Sequence, residues 1–272
     1  MATVRLTMSQ ALTRWMTAQS IEQLDGSIEP AFAGVWAIFG HGNVAGLGEA
    51  LYGVRDEMPT FRGHNEQSMA HIAIAYAKQK QRRRMMAVTT SIGPGATNLA
   101  TAAALAHVNR LPVLLLPGDV FATRAPDPVL QQVESFGDGT VSANDCLRPV
   151  SRYFDRITRP EQLLQALPKA MSVLTDPADC GPVTLGLCQD VQAEAWDYPE
   201  SFFTPRVWHM RRVMPDGGEL DRAMAALKAA KRPMIIAGGG VRYAGACAAG
   251  TALAEQAGIP GAATPAGKSR LV

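Results

Sequence analysis

Residues 61–78 read FRGHNEQSMAHIAIAYAK, and this stretch decides the fold. A glycine and a polar knot (Gly63, His64, Asn65, Glu66, Gln67) run directly into an apolar segment. Met69, Ile72, Ala73 and Tyr76 recur at i, i+3, i+4 and i+7, the spacing of one helix face. Ala70, Ile74 and Ala77 make the remaining face nearly apolar too, which predicts a helix packed between other elements. Glu66 then falls in the first turn, where its charge meets the positive end of the helix dipole. A carboxylate so placed is either an N-terminal cap or a working group.

The elements around this helix alternate. Upstream, Thr7-Met8-Ser9-Gln10 fits a capping box, and Met8, Leu12, Trp15 and Met16 give a helical stripe. Residues 35–39 are a short apolar strand that ends in Gly40-His41-Gly42-Asn43, before a helical pattern over 47–52. Residues 60–62 form a second strand, which feeds the central helix. A third strand spans 85–90, a turn 91–98, an alanine-rich helix runs to about Ala106, and a fourth strand spans 112–116. Strands and helices joined by short Gly/Pro turns predict an α/β fold, a parallel sheet flanked by helices. Residues 126–144 are the least patterned. A helix over 161–174 and a strand over 183–188 follow, and periodicity fades from 190 to 215. A helix over 219–228, a strand over 233–237 and a helix over 248–257 then begin a second α/β unit. The expected organisation is a first domain over 1–200, a linker over 201–218, and over 219–272 the first part of a Rossmann-like central domain. That last piece is short against the ~100–150 residues of a typical domain.

The chain has 272 residues, 47% of them hydrophobic and 18% charged, with a net charge of +2. No electrostatic case exists for nucleic-acid or membrane partners. Arg82, Arg83 and Arg84 follow the central helix and are expected to form a surface turn. Cys146, Cys180, Cys188 and Cys247 show no CxxC spacing, which fits reduced thiols in the cytoplasm. No secretory leader or membrane span is visible, since the apolar run 111–116 is too short and is bounded by Pro117-Gly118.

Two glycine motifs point to ordinary turns. Gly238-Gly239-Gly240 follows a strand, but the third glycine of a dinucleotide fingerprint would fall at Tyr243. Gly137-Asp138-Gly139 has the form of a magnesium motif. The Asn that should follow it is missing around Gln162-Leu163-Leu164, so no metal ligand is assigned in this chain. His71 and His107 lie in helices and suit packing, and His209 lies in the expected linker.

The run Asn65-Glu66-Gln67 before a small-residue helix ending in Tyr76-Ala77-Lys78 resembles thiamine diphosphate enzymes of the acetolactate synthase group. In that family Glu66 would hydrogen-bond the aminopyrimidine ring of the cofactor. The shoulder differs, with His64-Asn65 before the Glu and Ser68-Met69 after the Gln, which implies the same cofactor and a different substrate. Gly93-Pro94-Gly95-Ala96-Thr97-Asn98 resembles the family turn that approaches the pyrimidine, here with Ile92 inserted. Glycine there leaves room for close approach. Gly93, Pro94, Gly95 and Asn98 are accordingly the expected cofactor contacts beside Glu66. Arg110-Leu111-Pro112-Val113, Cys180-Gly181-Pro182-Val183, Gln189-Asp190-Val191, residues 233–240 and Gly267-Lys268 continue the likeness in order along nearly the whole chain.

Within that family, residues 39–46, Pro128-Val129-Leu130-Gln131-Gln132 and residues 144–153 look like the trihydroxycyclohexane-1,2-dione hydrolases of inositol breakdown. The resemblance implies hydrolytic C–C cleavage of a cyclic 1,2-diketone. Glu66 would hold the tautomer that deprotonates the thiazolium carbon, and the resulting carbanion would attack a carbonyl. It places His41, Gly42, Asn43, His64, Asn65, Gln67 and Gln131 at the substrate pocket. His41 is the expected water-handling group, since imidazole serves as acid or base near neutrality. A structural role for His41 stays open. Mg2+ and its ligands are expected outside this chain, and the active form is expected to be a homodimer or larger. An acetolactate-synthase-like lyase or carboligase, or a non-catalytic partner-binding remnant, are the alternatives.

Overall fold

The expected capping box forms. β1 (Thr3–Thr7) hands over to α1 (Met8–Thr17) at Thr7, whose hydroxyl accepts from the Gln10 amide at 3.2 Å. The Gln10 side chain in turn accepts from the Thr7 amide at 3.0 Å. Such a cap stabilises a helix by about 0.5–2 kcal/mol. α1 buries Met8, Leu12, Trp15 and Met16. The computed structural model describes residues 2–268, which fall into two units divided after Met210.

In the first unit, β2 (Gln19–Glu22) pairs antiparallel with β3 (Ile28–Pro30). There follow β4 (Phe32–Ala37), a π-helical turn (Val44–Gly48), α2 (Glu49–Gly53), β5 (Thr60–Arg62) and α3 (Glu66–Gln79). The chain continues through β6 (Met85–Thr90), α4 (Pro94–Thr97), α5 (Ala100–Asn109), β7 (Val113–Asp119), β8 (Tyr153–Ile157), α6 (Leu163–Leu174) and β9 (Pro182–Cys188). Six strands form one sheet in the order β5-β4-β6-β7-β9-β8, and every pair is parallel. Every residue of β6, β7 and β9 is buried. Such continuously buried, mostly apolar strands are what a parallel sheet covered on both faces requires. The chain moves from β4 outward to β5, then crosses back to β6 on the other side. The strand order therefore reverses between β4 and β6, the place where open α/β sheets bind ligands.

Four local expectations change. β7 does not stop before Pro117-Gly118 but runs through them to Asp119, its pairing with β9 held at Gly118 and Asp119. Pro117 lies near the strand end, so its missing N–H costs the ladder little. β8 has no counterpart in the sequence pattern. Its YFDRI is half-buried at the sheet edge, so no apolar alternation marks it. Ile72 is 45% exposed, because α3 seats Met69, Ala70, Ala73, Ile74 and Ala77 inward and turns the next stripe out. Arg82 and Arg83 are buried rather than on a surface turn. Arg83 donates to the Glu22 carbonyl at 2.8 Å and Arg82 to the Asn109 carbonyl at 3.3 Å, so the guanidinium forks tie α3 to its neighbours.

Residues beyond 190 are also ordered. β10 (Ala195–Pro199) pairs antiparallel with β1, and β11 (Arg206–Trp208) pairs parallel with β2. Tyr198 is fully buried and donates its hydroxyl to the Pro160 carbonyl at 3.0 Å, with Phe202 and Phe203 packed on its ring. Part of the expected linker is thus woven into the first unit.

The second unit carries α7 (Gly217–Ala229), β12 (Ile235–Ala237), α8 (Gly239–Tyr243), α9 (Cys247–Ala257) and β13 (Gly261–Ala263), with β12 and β13 parallel. Gly238-Gly239-Gly240 is the turn from β12 into α8. Among the described residues no helix is long and apolar enough to cross a membrane.

Candidate active site

The C-terminal ends of β4, β5, β6 and β7 supply four connections, and all but one of the expected site residues lie on the first three. Gln131, on the fourth, follows β7.

Glu66 opens α3 just after β5. Asn65 is the N-cap, and its side chain accepts from the Ser68 amide at 2.9 Å. The capping task is therefore met by Asn65, which frees Glu66 from it. The Glu66 carboxylate is half-buried and turns to the glycine turn after β6. Asn98 donates its amide to Glu66 Oε2 at 2.9 Å. On the other side, a methyl group at Gly95 would lie 3.2 Å from Glu66 Oε1. One carboxylate oxygen is thus fixed, and the other faces a residue with no side chain.

The turn itself is α4, entered at Gly93 with φ +59° and with Pro94 at its first position. Gly93 needs to be glycine for that φ. It also lies directly under the Gln131 carbonyl, and any side chain would collide there. Ser91, buried at the start of the turn, lies 3.4 Å through its Oγ from Gln131 Oε1. Gln131 is itself at φ +62°.

His41 sits in the connection after β4. Its two flanking glycines pack on the same turn at its other end. A methyl group at Gly40 would lie 2.6 Å from Ser91 Oγ, and one at Gly42 would lie 2.5 Å from Ile92 Cγ2. Both glycines are required by this close approach. His41 Nε2 is buried and has no hydrogen-bond partner among the described residues. Asn43 is buried and fully engaged. Its amide donates to the Ile38 carbonyl at 3.1 Å and to Thr89 Oγ1 at 3.0 Å, and its Oδ1 accepts from the Gly40 amide at 2.9 Å. Asn43 therefore shapes the His41 loop. The π-helical turn follows at once, closed by the Gly48 amide donating to the Asn43 carbonyl at 2.8 Å. Such π turns cluster at functional sites.

Glu66 and the His41 loop thus meet the 91–98 turn from its two ends, and Gln131 covers its middle. His64 and Asn65 are exposed and Gln67 is half-buried beside them. Gly137-Asp138-Gly139 is a plain turn, with Asp138 accepting from the Thr140 amide and hydroxyl at 2.9 and 2.6 Å. Among the described residues no group of three His, Cys, Asp or Glu could hold a metal ion.

Three residues gain a packing role that the sequence reading did not give them. Ile92, met there only as an insertion, fills the space that Gly42 and Gly118 leave; a methyl at Gly118 would lie 3.1 Å from its Cγ2. Gln192 donates to the Gly42 carbonyl at 2.7 Å and accepts from the Leu47 amide at 3.2 Å, so it braces the His41 loop from 150 positions away. Asp119, at the end of β7, is buried and bonded on both oxygens. Only the placing of Asp119 at a strand end could have drawn attention to it.

The model of the thiamine pyrophosphate enzyme N-terminal TPP binding domain matches residues 33–137, and that of the thiamine pyrophosphate enzyme central domain matches residues 220–271. The chain is similar to 3D-(3,5/4)-trihydroxycyclohexane-1,2-dione hydrolase of Geobacillus thermodenitrificans, at 52% identity over 271 residues. That match covers 100% of this chain and 42% of the relative. The protein of the same name from Bacillus velezensis is 52% identical over 267 residues, covering 98% of this chain and 42% of its own length. The chain therefore spans about two fifths of the length of these relatives. A chain that matches both domains in order, and these hydrolases along its whole length, belongs to the thiamine pyrophosphate enzyme family.

Proposed function

We propose that this sequence forms the pyrimidine-binding part of a thiamine diphosphate-dependent hydrolase. Its substrate is a cyclic 1,2-diketone, 3D-(3,5/4)-trihydroxycyclohexane-1,2-dione, and its setting is inositol breakdown in the cytoplasm. The observation that supports this most is the Glu66 carboxylate, held on one oxygen by Asn98 and open toward Gly95 on the other. A fixed acceptor beside a turn without side chains fits a flat, hydrogen-bonding ring. Gly93, Pro94 and Gly95 would line that ring, and Asn98 would keep Glu66 in place.

When bound, thiamine diphosphate supplies an electron sink for the carbon whose bond is cleaved. Glu66 holds or returns the proton that sets the ring tautomer. His41 handles water. Its buried Nε2, without a partner among the described residues, is available to orient a water or a substrate oxygen. Oxygen ligands outside these 272 residues would hold the diphosphate through Mg2+. The active form in this reading is at least a homodimer. These residues alone are inactive and bind the cofactor weakly, which calorimetry with magnesium and thiamine diphosphate checks.

The deciding experiment is Glu66→Gln in a complete enzyme containing this sequence. Ring opening should fall by ~10²–10⁴, the usual weight of a general acid–base group, with the circular dichroism spectrum unchanged. Unchanged hydrogen–deuterium exchange at the thiazolium carbon would overturn the assignment. In the companion variant His41→Ala, ring opening should fall more than about tenfold while that exchange survives, tenfold being ~1.4 kcal/mol in the barrier.

A further inference from the structure

Between β7 and β8 the chain leaves the sheet at Val120 and comes back against the end of β7 at Ser142, ahead of a 3-10 helix (Ala143–Val150) and β8, and this excursion carries Gln131 over Gly93. Its two ends meet at one carboxylate. Asp119 Oδ1 accepts from the Val120 amide at 2.8 Å, where the excursion begins. Ser142 Oγ, where it ends, donates to the same carboxylate, 2.9 Å from Oδ1 and 2.8 Å from Oδ2. Arg156 of β8 reaches in from the sheet edge, with Nε 3.0 Å from Oδ2. The Asp119 side chain is 0% exposed. Gly186 on β9 makes room for it, since a methyl there would lie 3.1 Å from Oδ2. Two other carboxylates hold the excursion at separate points. Asp190 accepts from the Ala122 amide at 2.9 Å, and Glu134 from the Ala143 amide at 2.7 Å.

We propose that Asp119 is a positioning residue. Its carboxylate closes the two ends of the 120–142 excursion against the sheet and so fixes the Gln131 main chain over Gly93. The physical reason is that a buried carboxylate must keep its donors, because leaving one unpaired in the interior costs far more than the bond itself contributes. Residues 120 and 142 are thereby held at one point, and the intervening loop has little freedom to lift. Its bearing on catalysis rests on the Glu66 reading; the closure itself does not.

Amide hydrogen exchange on the intact chain tests this. Asp119→Ala should speed exchange across residues 121–142 at least tenfold, while peptides from β6 and α3 stay within twofold of the wild type. Ser142→Ala, which leaves the Asp119–Arg156 pair in place, should speed the same residues by about threefold and serves if Asp119→Ala does not fold. The double variant should exceed Asp119→Ala by less than Ser142→Ala does alone, because the two substitutions share one contact while Ser142 Oγ also accepts from the Asn144 amide at 3.1 Å. A merely structural role would loosen the whole first unit together. Uniform loosening, unchanged exchange in 121–142 in the variants that fold, or full additivity would each overturn the proposal. Failure of the Glu66→Gln test would leave this outcome untouched.

Discussion

Leu185 in the first unit and Ile236 in the second stand in the same kind of position, on a strand of a parallel α/β unit. Leu185 is 0% exposed and Ile236 is 69% exposed. β9 lies between β7 and β8 and is covered by helices, whereas β12 has β13 as its paired strand. Met224, Met234 and Leu253 in the second unit are likewise exposed, and α7 and α9 bury no residue fully. Both units carry an apolar strand pattern. What differs, among the described residues, is the number of strands and helices packed over it. A hydrophobic pattern specifies an element, while burial depends on neighbours.

The comparison breaks most sharply in hydrogen exchange. Amides of β9 should be protected more than about a thousandfold beyond those of β12, since core strands open only with free energies near the global value. Equal protection by mass-resolved exchange would remove the distinction. Next in size is a pair of truncations. Leu185→Ala should destabilise by about 2–5 kcal/mol through lost burial and the cavity left behind. Ile236→Ala should stay within about 0.5 kcal/mol, as for surface sites. Urea titrations followed by far-UV circular dichroism compare the two.

The thiols sharpen the same contrast. Burial pushes the Cys180 thiol up to about 11, with Asp176 and Asp179 adding to the rise and Arg82 and Arg152 opposing it. Burial and the Asp119 charge raise Cys188 as well. The folded chain thus holds these protons more tightly than the unfolded one. Their contribution to stability is complete below the ordinary thiol range and is lost as pH rises toward 11. Iodoacetamide at pH 8 should modify the exposed Cys146 and the half-buried Cys247 and spare Cys180 and Cys188. Labelling of all four at similar rates would count against it. A small effect is also expected at Arg5, whose pair with Asp197 at 3.1 Å is well exposed. Arg5→Ala should change stability by less than about 1 kcal/mol, in contrast to the buried Asp119–Arg156 pair.

Much of this fold was legible because it is written locally. The 69–77 stripe, the strand at 85–90 and the Gly93-Pro94-Gly95 turn each announce themselves within a few residues, and each forms within two positions of where the pattern puts it. The place of Glu66 at the head of α3 was legible for the same reason. What escaped notice depends on partners far away. Gln192 bonds Gly42, Arg83 bonds Glu22, and β8 is a strand through its pairing with β9. No window of sequence contains both members of such pairs. Asn43 shows the intermediate case. Its place in the loop was legible, but its engagement with Thr89 depends on the sheet being assembled.

The pairing of β1 with β10 has a consequence of another sort. Thr3 lies opposite Pro199, and the Glu200 amide donates to the Ala2 carbonyl at 3.0 Å. β1 therefore waits for nearly the last segment of its unit before it can settle. Long-range closures of this kind slow folding, because the loop entropy is lost before the contact forms. During translation, residues 3–7 must spend the interval without a partner, when chaperones or other chains can reach them. The same closure sets residue 2 beside residue 200, so a single antiparallel ribbon ties the start of the unit to the segment just before β11.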